Sequence, residues 1–279
     1  MGIKGRRLTS TMTEKTKRLS QRPVVTAVWV VALLLASPTA ATAGECIATS
    51  GPKKVALLEL YTSEGCSSCP PADRWLSGLA RRTPVPSSLL PLAFHVDYWN
   101  DLGWRDPFSQ AKFSDRQREH SRRRNQRFVV TPQFLLDGQP YSPALLIDDI
   151  ARRAASINRS RPRADLRMRL TAAPDRMDFS VEARATDPDA RQSALLIALY
   201  ENRLQSSVEA GENRGAKLAH DYVVRALVGP FAFNGVGVAS HSASFLLDSR
   251  WKTGDLHLAA FVQHPRTGEV MQALAATCP

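Results

Sequence analysis

The sequence has no apolar run long enough to cross a membrane as a helix. Its longest run, residues 24–36, has 13 residues, whereas a transmembrane helix needs about 20. Basic residues precede this run and Ala41-Thr42-Ala43 follows it, which is the order of a secretory signal peptide. We therefore predict a signal peptide over residues 1–43, cleavage before Gly44, a periplasmic or secreted protein, and no integral membrane span after cleavage.

A strong excess of charge of one sign is also missing from the expected mature protein. The whole chain has 37 basic and 26 acidic residues, and the part after residue 43 keeps 30 and 25 of them. Such a small positive balance is typical of a solvated surface and not of a nucleic-acid-binding protein. We expect no nucleic acid among its partners, and the sequence predicts no oligomeric state.

Cysteine is scarce, with four residues in the chain. Cys66 and Cys69 form a C-x-x-C motif, while Cys46 and Cys278 lie near the two ends of the expected mature chain. An even number of cysteines in an exported protein indicates disulfides. The simplest pairing joins Cys66 to Cys69, and Cys46 to Cys278 as a structural disulfide.

The first half of the chain alternates predicted strands and helices. Apolar runs predict buried strands over residues 54–62 and 90–96. Pro70 and Pro71 directly follow Cys69 and are tolerated in a helix only in its first turn. The two cysteines therefore straddle a helix N-terminus. The remaining predicted elements of this half are a helix over 109–126, a strand over 133–136 and a helix over 142–157.

The second half has the period of two that is typical of strands. Alternating apolar residues predict a hairpin over 166–183. Further predicted strands cover residues 194–200, 222–227, 242–247, 256–263 and 269–275. Several short strands without intervening helices are typical of a β-sandwich. The predicted organisation is therefore an α/β domain over 44–160, followed by an all-β, sandwich-like C-terminal domain over 161–279.

A C-x-x-C motif at a helix N-terminus has a chemical rationale. The unpaired N–H groups and partial positive charge there stabilise a thiolate over a thiol. Cys66 is then the exposed nucleophile, and Cys69 resolves the mixed disulfide. A structural disulfide and a metal site are the alternatives, although zinc needs a second ligand pair and none with suitable spacing is present.

The order of strand, C-x-x-C helix, strand, helix and Thr131-Pro132 before another strand resembles a thioredoxin-like fold. This resemblance implies a thioredoxin-like domain over 44–160, in which Pro132 is a cis-proline packed against the dithiol. More narrowly, the sequence resembles an exported proteobacterial thioredoxin-like family of unknown function. The matching motifs are residues 59–71, 95–99, 102–108, 131–133, 211–215 and 220–221.

The motif also departs from that of ordinary thioredoxins. Gly65 precedes Cys66 where they carry a tryptophan, and Leu60 takes the place of their buried aspartate. Glu59 could accept a proton from Cys69 only if a bulge turned it to that face of its strand. Otherwise it is a capped or exposed glutamate.

Aromatic residues after the second strand have two possible roles. Trp99, Trp104 and Phe108 could form a lid over the dithiol or pack into a small core of their own. His95 at the end of that strand could be catalytic or a satisfied structural histidine. The segment 211–215 is polar and rich in turn-forming residues, and a contact between the two halves of the chain is the one role assigned to it.

These observations predict a periplasmic thiol-disulfide oxidoreductase that acts on thiols or disulfides of exported proteins. Cys66 attacks, Cys69 resolves, and Thr131 and Pro132 guide the substrate backbone; no cofactor is expected. Two alternatives stay open. One is a non-enzymatic binding module of the cell envelope whose C-x-x-C forms only a structural disulfide. The other is a copper-binding protein that uses the same two cysteines, because soft sulfur suits Cu(I). The sequence predicts neither the redox direction nor the partner.

Overall fold

The computed structural model describes residues 45–142 and 149–276. Its α-helices are α1 Pro70–Ser77, α2 Ala111–Arg122 and α3 Ile150–Asn158. Its strands are β1 Glu45–Thr49, β2 Ala56–Thr62, β3 Leu89–His95, β4 Gln133–Leu136, β5 Gln139–Tyr141, β6 Ala164–Ala172, β7 Arg176–Ala185, β8 Ala194–Glu201, β9 Leu204–Ser207, β10 Lys217–His220, β11 Val223–Ala232, β12 Val238–Leu246, β13 Leu256–Gln263 and β14 Val270–Ala276. The strands β4 and β13 have the predicted bounds.

Eight strands form a mixed sheet in the order β14-β13-β8-β11-β3-β2-β4-β5. Within it β2 and β3 are parallel, and β3 also pairs in parallel with β11 through Ala93 and Val223. The strands β1, β6, β7 and β12 form a four-stranded antiparallel sheet. A separate hairpin consists of β9 and β10.

This topology shows that the predicted fold class is wrong. The sequence predicted an α/β thioredoxin-like domain followed by an all-β, sandwich-like C-terminal domain. The eight-stranded sheet instead contains strands from both halves of the chain, because β11 pairs with the edge of β3. An unpaired strand edge is costly to leave open, and β11 covers it. The protein is therefore predominantly β-structure, built from one large mixed sheet and a smaller antiparallel sheet.

Side chains on the two faces of β2 explain its central position. Every residue of β2 is buried, as expected for a strand covered on both faces. Leu58 and Leu60 face a core that includes residues of α1 and α3. Leu57 and Tyr61 alternate to the opposite face, where Phe113 of α2 packs. The end of β2 is thus held rigidly between helices, and the chain leaves it directly toward the cysteines.

Candidate functional site

The C-x-x-C motif lies between the end of β2 and the start of α1. Cys66 and Cys69 form a disulfide with a Cα–Cα distance of 5.5 Å. Cys69 is the N-cap residue of α1, and Pro70 and Pro71 occupy the first helical positions, where a missing N–H costs nothing. The prediction that the cysteines straddle a helix N-terminus is met only in part, because both precede the first helical residue, Pro70, with Cys69 at the N-cap.

Both cysteines are fully buried in this disulfide form. Cys66 and Cys69 each have 0% exposure, whereas Ser67 and Ser68 between them are exposed. The prediction of an exposed Cys66 is therefore wrong for the oxidised protein. The sequence pattern could not show this, because other parts of the chain enclose the motif.

Thr131 and Pro132 lie beside the disulfide. The Sγ atom of Cys66 is 3.7 Å from the carbonyl oxygen of Thr131, and the Ser68 hydroxyl donates to the same oxygen at 3.3 Å. The peptide bond between Thr131 and Pro132 is cis. Trp99 donates from Nε1 to the Thr131 hydroxyl at 2.8 Å. The aromatic loop therefore supports the chain next to the dithiol, and does not pack only on itself.

An apolar groove of about 520 Å³ lies beside the C-x-x-C turn. Its lining includes Ser68, Pro71, Trp75, Val130, Pro132 and Tyr141. Val130 is 60% exposed at its rim. Concave, largely apolar surfaces with a few polar groups are typical of ligand sites, and this one meets the C-x-x-C turn at Ser68 and the segment before β4 at Pro132.

Residues 211–215, named here the cover segment, connect β9 to β10 and lie over the C-x-x-C turn. Asn213 donates from Nδ2 to the carbonyl oxygens of Glu64 and Cys66 at 2.8 and 3.0 Å. A carboxylate oxygen of Glu212 accepts a hydrogen bond from the Ser67 N–H at 3.0 Å. Gly211 has φ +72°, and a Cβ there would lie 3.1 Å from Cβ of Trp104. The contact predicted between the two halves of the chain is present, and the cover segment makes it with the C-x-x-C turn.

Beneath the turn lies a buried cluster of acidic residues and histidines. His95 Nδ1 is 2.7 Å from an Asp106 carboxylate oxygen, and His220 Nε2 is 3.2 Å from Glu64 Oε1. Asp73 of α1 accepts from the Thr62 hydroxyl at 2.9 Å. These five ionisable side chains are each at least 95% buried. The hairpin β9–β10 and helix α1 thus bring together residues that lie far apart in sequence.

The histidines and carboxylates of this cluster shift one another's pKa values. Burial alone would lower the pKa of His220, but Asp73 and Glu64 raise it to about 10. Burial alone would raise the pKa of Asp106, but His95 and two backbone N–H groups hold it below the usual range. Trp104 Nε1 and the Ser206 hydroxyl both donate to Glu64. The sequence suggested a role for His95 alone; Glu64, Asp106 and His220 lie within the motifs that carry the family resemblance, but no role was predicted for them or for Asp73. The acidic residues flanking the cysteines were the available signal.

Glu59 does not belong to this site. The strand β2 has no bulge, so Glu59 shares a face with Tyr61, whose hydroxyl donates to it at 2.9 Å. Arg116 Nε donates to the same carboxylate at 2.9 Å. Burial alone would raise the pKa of Glu59, but Arg116 lowers it to about 2. The expected capped or exposed glutamate is instead half of a buried ion pair, and no bulge brings it to Cys69.

Acid is expected to destabilise the protein through His120 and Glu59. Burial lowers the pKa of His120 from 6.5 to about 3, so between these values the unfolded chain takes up a proton that the folded protein does not. The free energy of unfolding therefore decreases as the pH falls from about 6.5. Below about 4.5, protonation of Glu59 in the unfolded chain adds to the loss.

Urea unfolding at about pH 7, 5.5 and 4.5 measures this decrease. The variant His120→Gln should flatten the pH dependence between about 6.5 and 4.5, because it removes the titrating imidazole. An unchanged slope in this variant would contradict the assignment to His120.

Several predicted features lie outside the described residues. They are the signal peptide over residues 1–43, the cleavage site before Gly44, and Cys278 as the partner of Cys46. The described part of the chain contains no helix that is both long and apolar enough to span a bilayer.

The fold and the site define the class of protein. It is a mainly β protein in which a helix N-terminus carries a C-x-x-C disulfide beneath a hairpin. The chain belongs to the family described as "Protein of unknown function (DUF1223)", whose family model matches residues 57–263. No curated protein matches the sequence.

Two solved structures are similar to this chain. Protein AGR_C_4864 from Agrobacterium tumefaciens is 22% identical with a TM-score of 0.57, and the match covers 81% of this chain and 96% of that one. HBP35 of Porphyromonas gingivalis is 15% identical with a TM-score of 0.62, covering 82% of this chain and 76% of that one. At these identities the likeness shows the fold alone.

Proposed function

We propose that the protein is a thiol-disulfide oxidoreductase that acts through Cys66 and Cys69 on cysteines of exported proteins. The observation that carries the proposal is the position of the disulfide. It lies at the N-terminus of α1, with Cys66 Sγ 3.7 Å from the Thr131 carbonyl oxygen, and the nearby residues Ser68 and Pro132 line the apolar groove. The position of Thr131-Pro132 next to the C-x-x-C turn is the part of the resemblance to thioredoxin-like proteins that supports thiol-disulfide exchange.

In the reducing direction the reaction consists of two thiol-disulfide exchanges. The Cys66 thiolate attacks one sulfur of a substrate disulfide, and the other substrate sulfur leaves as a thiolate. The Cys69 thiolate then attacks Cys66 Sγ and expels the second substrate sulfur. Two electrons pass to the substrate, each departing thiolate takes a proton from water, and the Cys66–Cys69 disulfide forms. The same steps run backwards oxidise a substrate dithiol.

The groove supplies a place for the substrate chain next to Cys66. Val130, Pro132 and Trp75 offer apolar contact to residues that flank a substrate cysteine. The Thr131 carbonyl oxygen has a second lone pair that can accept a substrate backbone N–H. A peptide held in this way presents its sulfur at the Cys66 end of the disulfide.

Access to the sulfur requires a local movement, because Cys66 is fully buried in the disulfide form. The cover segment is attached to the turn by the hydrogen bonds of Asn213 and Glu212, which are individually worth about 1 kcal/mol. Local opening of this segment is therefore the step that would admit a partner.

The reduction potential of the Cys66–Cys69 pair tests the proposal. A catalytic pair is expected between about −120 and −270 mV, the span of known exchange proteins, and to equilibrate with a glutathione redox buffer in the folded state. Thiol alkylation followed by mass spectrometry across a series of buffers measures it, with the Cys66→Ser/Cys69→Ser double variant as the control. A potential below about −300 mV is typical of a structural disulfide and would contradict the proposal.

Complete burial of both sulfurs favours a second candidate, a binding module whose disulfide only holds the turn. In that case the groove takes a peptide without exchange. The Cys66→Ser/Cys69→Ser double variant distinguishes the two candidates. A binding module would keep its peptide binding in this variant, whereas an enzyme would lose all turnover.

A further inference from the structure

A group of three potential metal ligands lies beneath the dithiol turn. Asp73, His95 and His220 have 5, 0 and 2% exposure. One donor atom from each lies within 4.8 Å of the other two. His220 Nδ1 is 3.7 Å from Asp73 Oδ1. Three elements contribute, because Asp73 lies in α1, His95 ends β3 and His220 ends β10.

Carboxylates orient both imidazole rings. His95 directs Nδ1 to Asp106, and His220 directs Nε2 to Glu64. With the protons on these nitrogens, the opposite ones, His95 Nε2 and His220 Nδ1, carry lone pairs and have no hydrogen-bond partner among the described residues. A histidine that donates one ring N–H to a carboxylate and leaves the other nitrogen free is the arrangement found at metal centres.

The negative charge of the cluster also favours a bound cation. Glu64, Asp73 and Asp106 are three carboxylates buried close together, and the ion pairs that the structure gives them are with histidines. Buried carboxylates are costly unless a cation compensates them. A proton on His220 is one such cation, and a divalent ion is another, which would also bind the two ring nitrogens that have no hydrogen bond among the described residues.

We propose that Asp73 Oδ1, His95 Nε2 and His220 Nδ1 bind a divalent transition-metal ion, of which zinc is the best match. Two imidazoles and one carboxylate are ligands that zinc accepts at about 2.0–2.2 Å, which places tetrahedral donors about 3.4 Å apart. The three donor atoms are at most 4.8 Å apart, so shifts of about 1 Å complete the site. Glu64 and Asp106 hold the two rings.

This inference goes beyond the proposed function and does not depend on it. The ligands include neither cysteine, so the metal site can exist with the dithiol oxidised, reduced or removed. The metal displaces any proton from His220. Glu64 and Asp73 also belong to the segments that flank the disulfide, so the bound ion fixes the chain on both sides of it.

Zinc titration of the full chain in competition with a chromophoric chelator tests the site. One zinc per chain is expected, with affinity lowered at least about 100-fold in His95→Gln and His220→Gln. Asp106→Asn should lower it about 10- to 100-fold, because it removes only the orienting carboxylate. His241→Gln, a partly buried histidine outside the cluster, and the Cys66→Ser/Cys69→Ser double variant should both bind like the wild type.

Cobalt provides a measurement on the wild-type protein, in case a ligand variant fails to fold. Bound Co²⁺ should give visible bands without a sulfur-to-cobalt band, and two hyperfine-shifted, exchangeable N–H signals, one from each carboxylate-bound ring. Folded wild-type protein that binds no metal would overturn the proposal. So would unaltered affinity in folded His95→Gln and His220→Gln, loss of binding in the double cysteine variant, or a cobalt spectrum with sulfur bands.

Discussion

Replacing Cys69 with alanine is expected to convert the protein into a trap for its partners, whereas replacing Cys66 is expected to trap few or none. In Cys69→Ala the Cys66 thiolate can form a mixed disulfide, but no second thiol is present to resolve it. The Cys66 sulfur faces the Thr131 carbonyl oxygen, whereas Cys69 is the N-cap residue of α1, directly before Pro70. Because of these positions, we expect nearly all of the trapped mixed disulfide in Cys69→Ala and almost none in the Cys66 variant.

Mass spectrometry after non-reducing electrophoresis measures the trapped species, both with envelope extract and with glutathione disulfide as a defined probe. Ser67→Ala is the matched control, because it alters an exposed side chain of the same turn and keeps both thiols. Equal trapping by the two cysteine variants, or preferential trapping through Cys69, would reverse the assignment of attacking and resolving residues. Absence of trapping in both would leave the binding module as the better account.

The largest loss of stability is expected from removing Arg116. Its guanidinium donates to Glu59 at 2.9 Å and to Gln263 at 2.8 Å, and it packs over the Phe94 and Phe261 rings. Arg116→Met leaves the Glu59 carboxylate buried without its cation. Breaking a buried pair from one side costs about 3–5 kcal/mol, a large fraction of a typical free energy of unfolding.

Urea unfolding measures this loss against a close control on the same helix. Arg118 pairs with Asp115 at 3.0 Å, but both side chains are largely exposed, so Arg118→Met should cost about 0.5 kcal/mol or less. The double variant Glu59→Leu/Arg116→Met should recover much of the stability, because an apolar pair can replace a buried ion pair at little cost. Similar losses in Arg116→Met and Arg118→Met would show that burial does not set the value of the pair.

Most of the longer elements could be predicted from the sequence, whereas the short strands β1, β5, β9 and β10 and the arrangement of the strands could not. Alternation and apolar runs placed β4 and β13 at their observed bounds, and Pro70 placed the start of α1. These patterns report which side chains of a segment are buried. They do not report which strand lies beside which, so the pairing of β3 with β11 through Ala93 and Val223 had no local signal.

The candidate site shows the same division. The motif itself pointed to Cys66 and Cys69, and the resemblance placed Thr131 beside them, as the structure does. Contacts from the second half were missed, including those of Asn213 and His220. They depend on where the hairpin β9–β10 lies, which no spacing within either segment encodes. The burial of Cys66 was missed along with these contacts.

The attachment of Asn213 and Glu212 to the dithiol turn limits how the two halves of such a chain can be inherited. A gene fragment ending near residue 160 would encode the cysteines, the groove and Thr131, but it would leave β3 with an open edge and the C-x-x-C turn without its hydrogen bonds to Asn213 and Glu212. The halves are therefore not interchangeable modules. Among relatives that retain the C-x-x-C motif, a longer or shorter connection between β9 and β10 is expected to change the hydrogen bonds that residues 211–215 make to the turn.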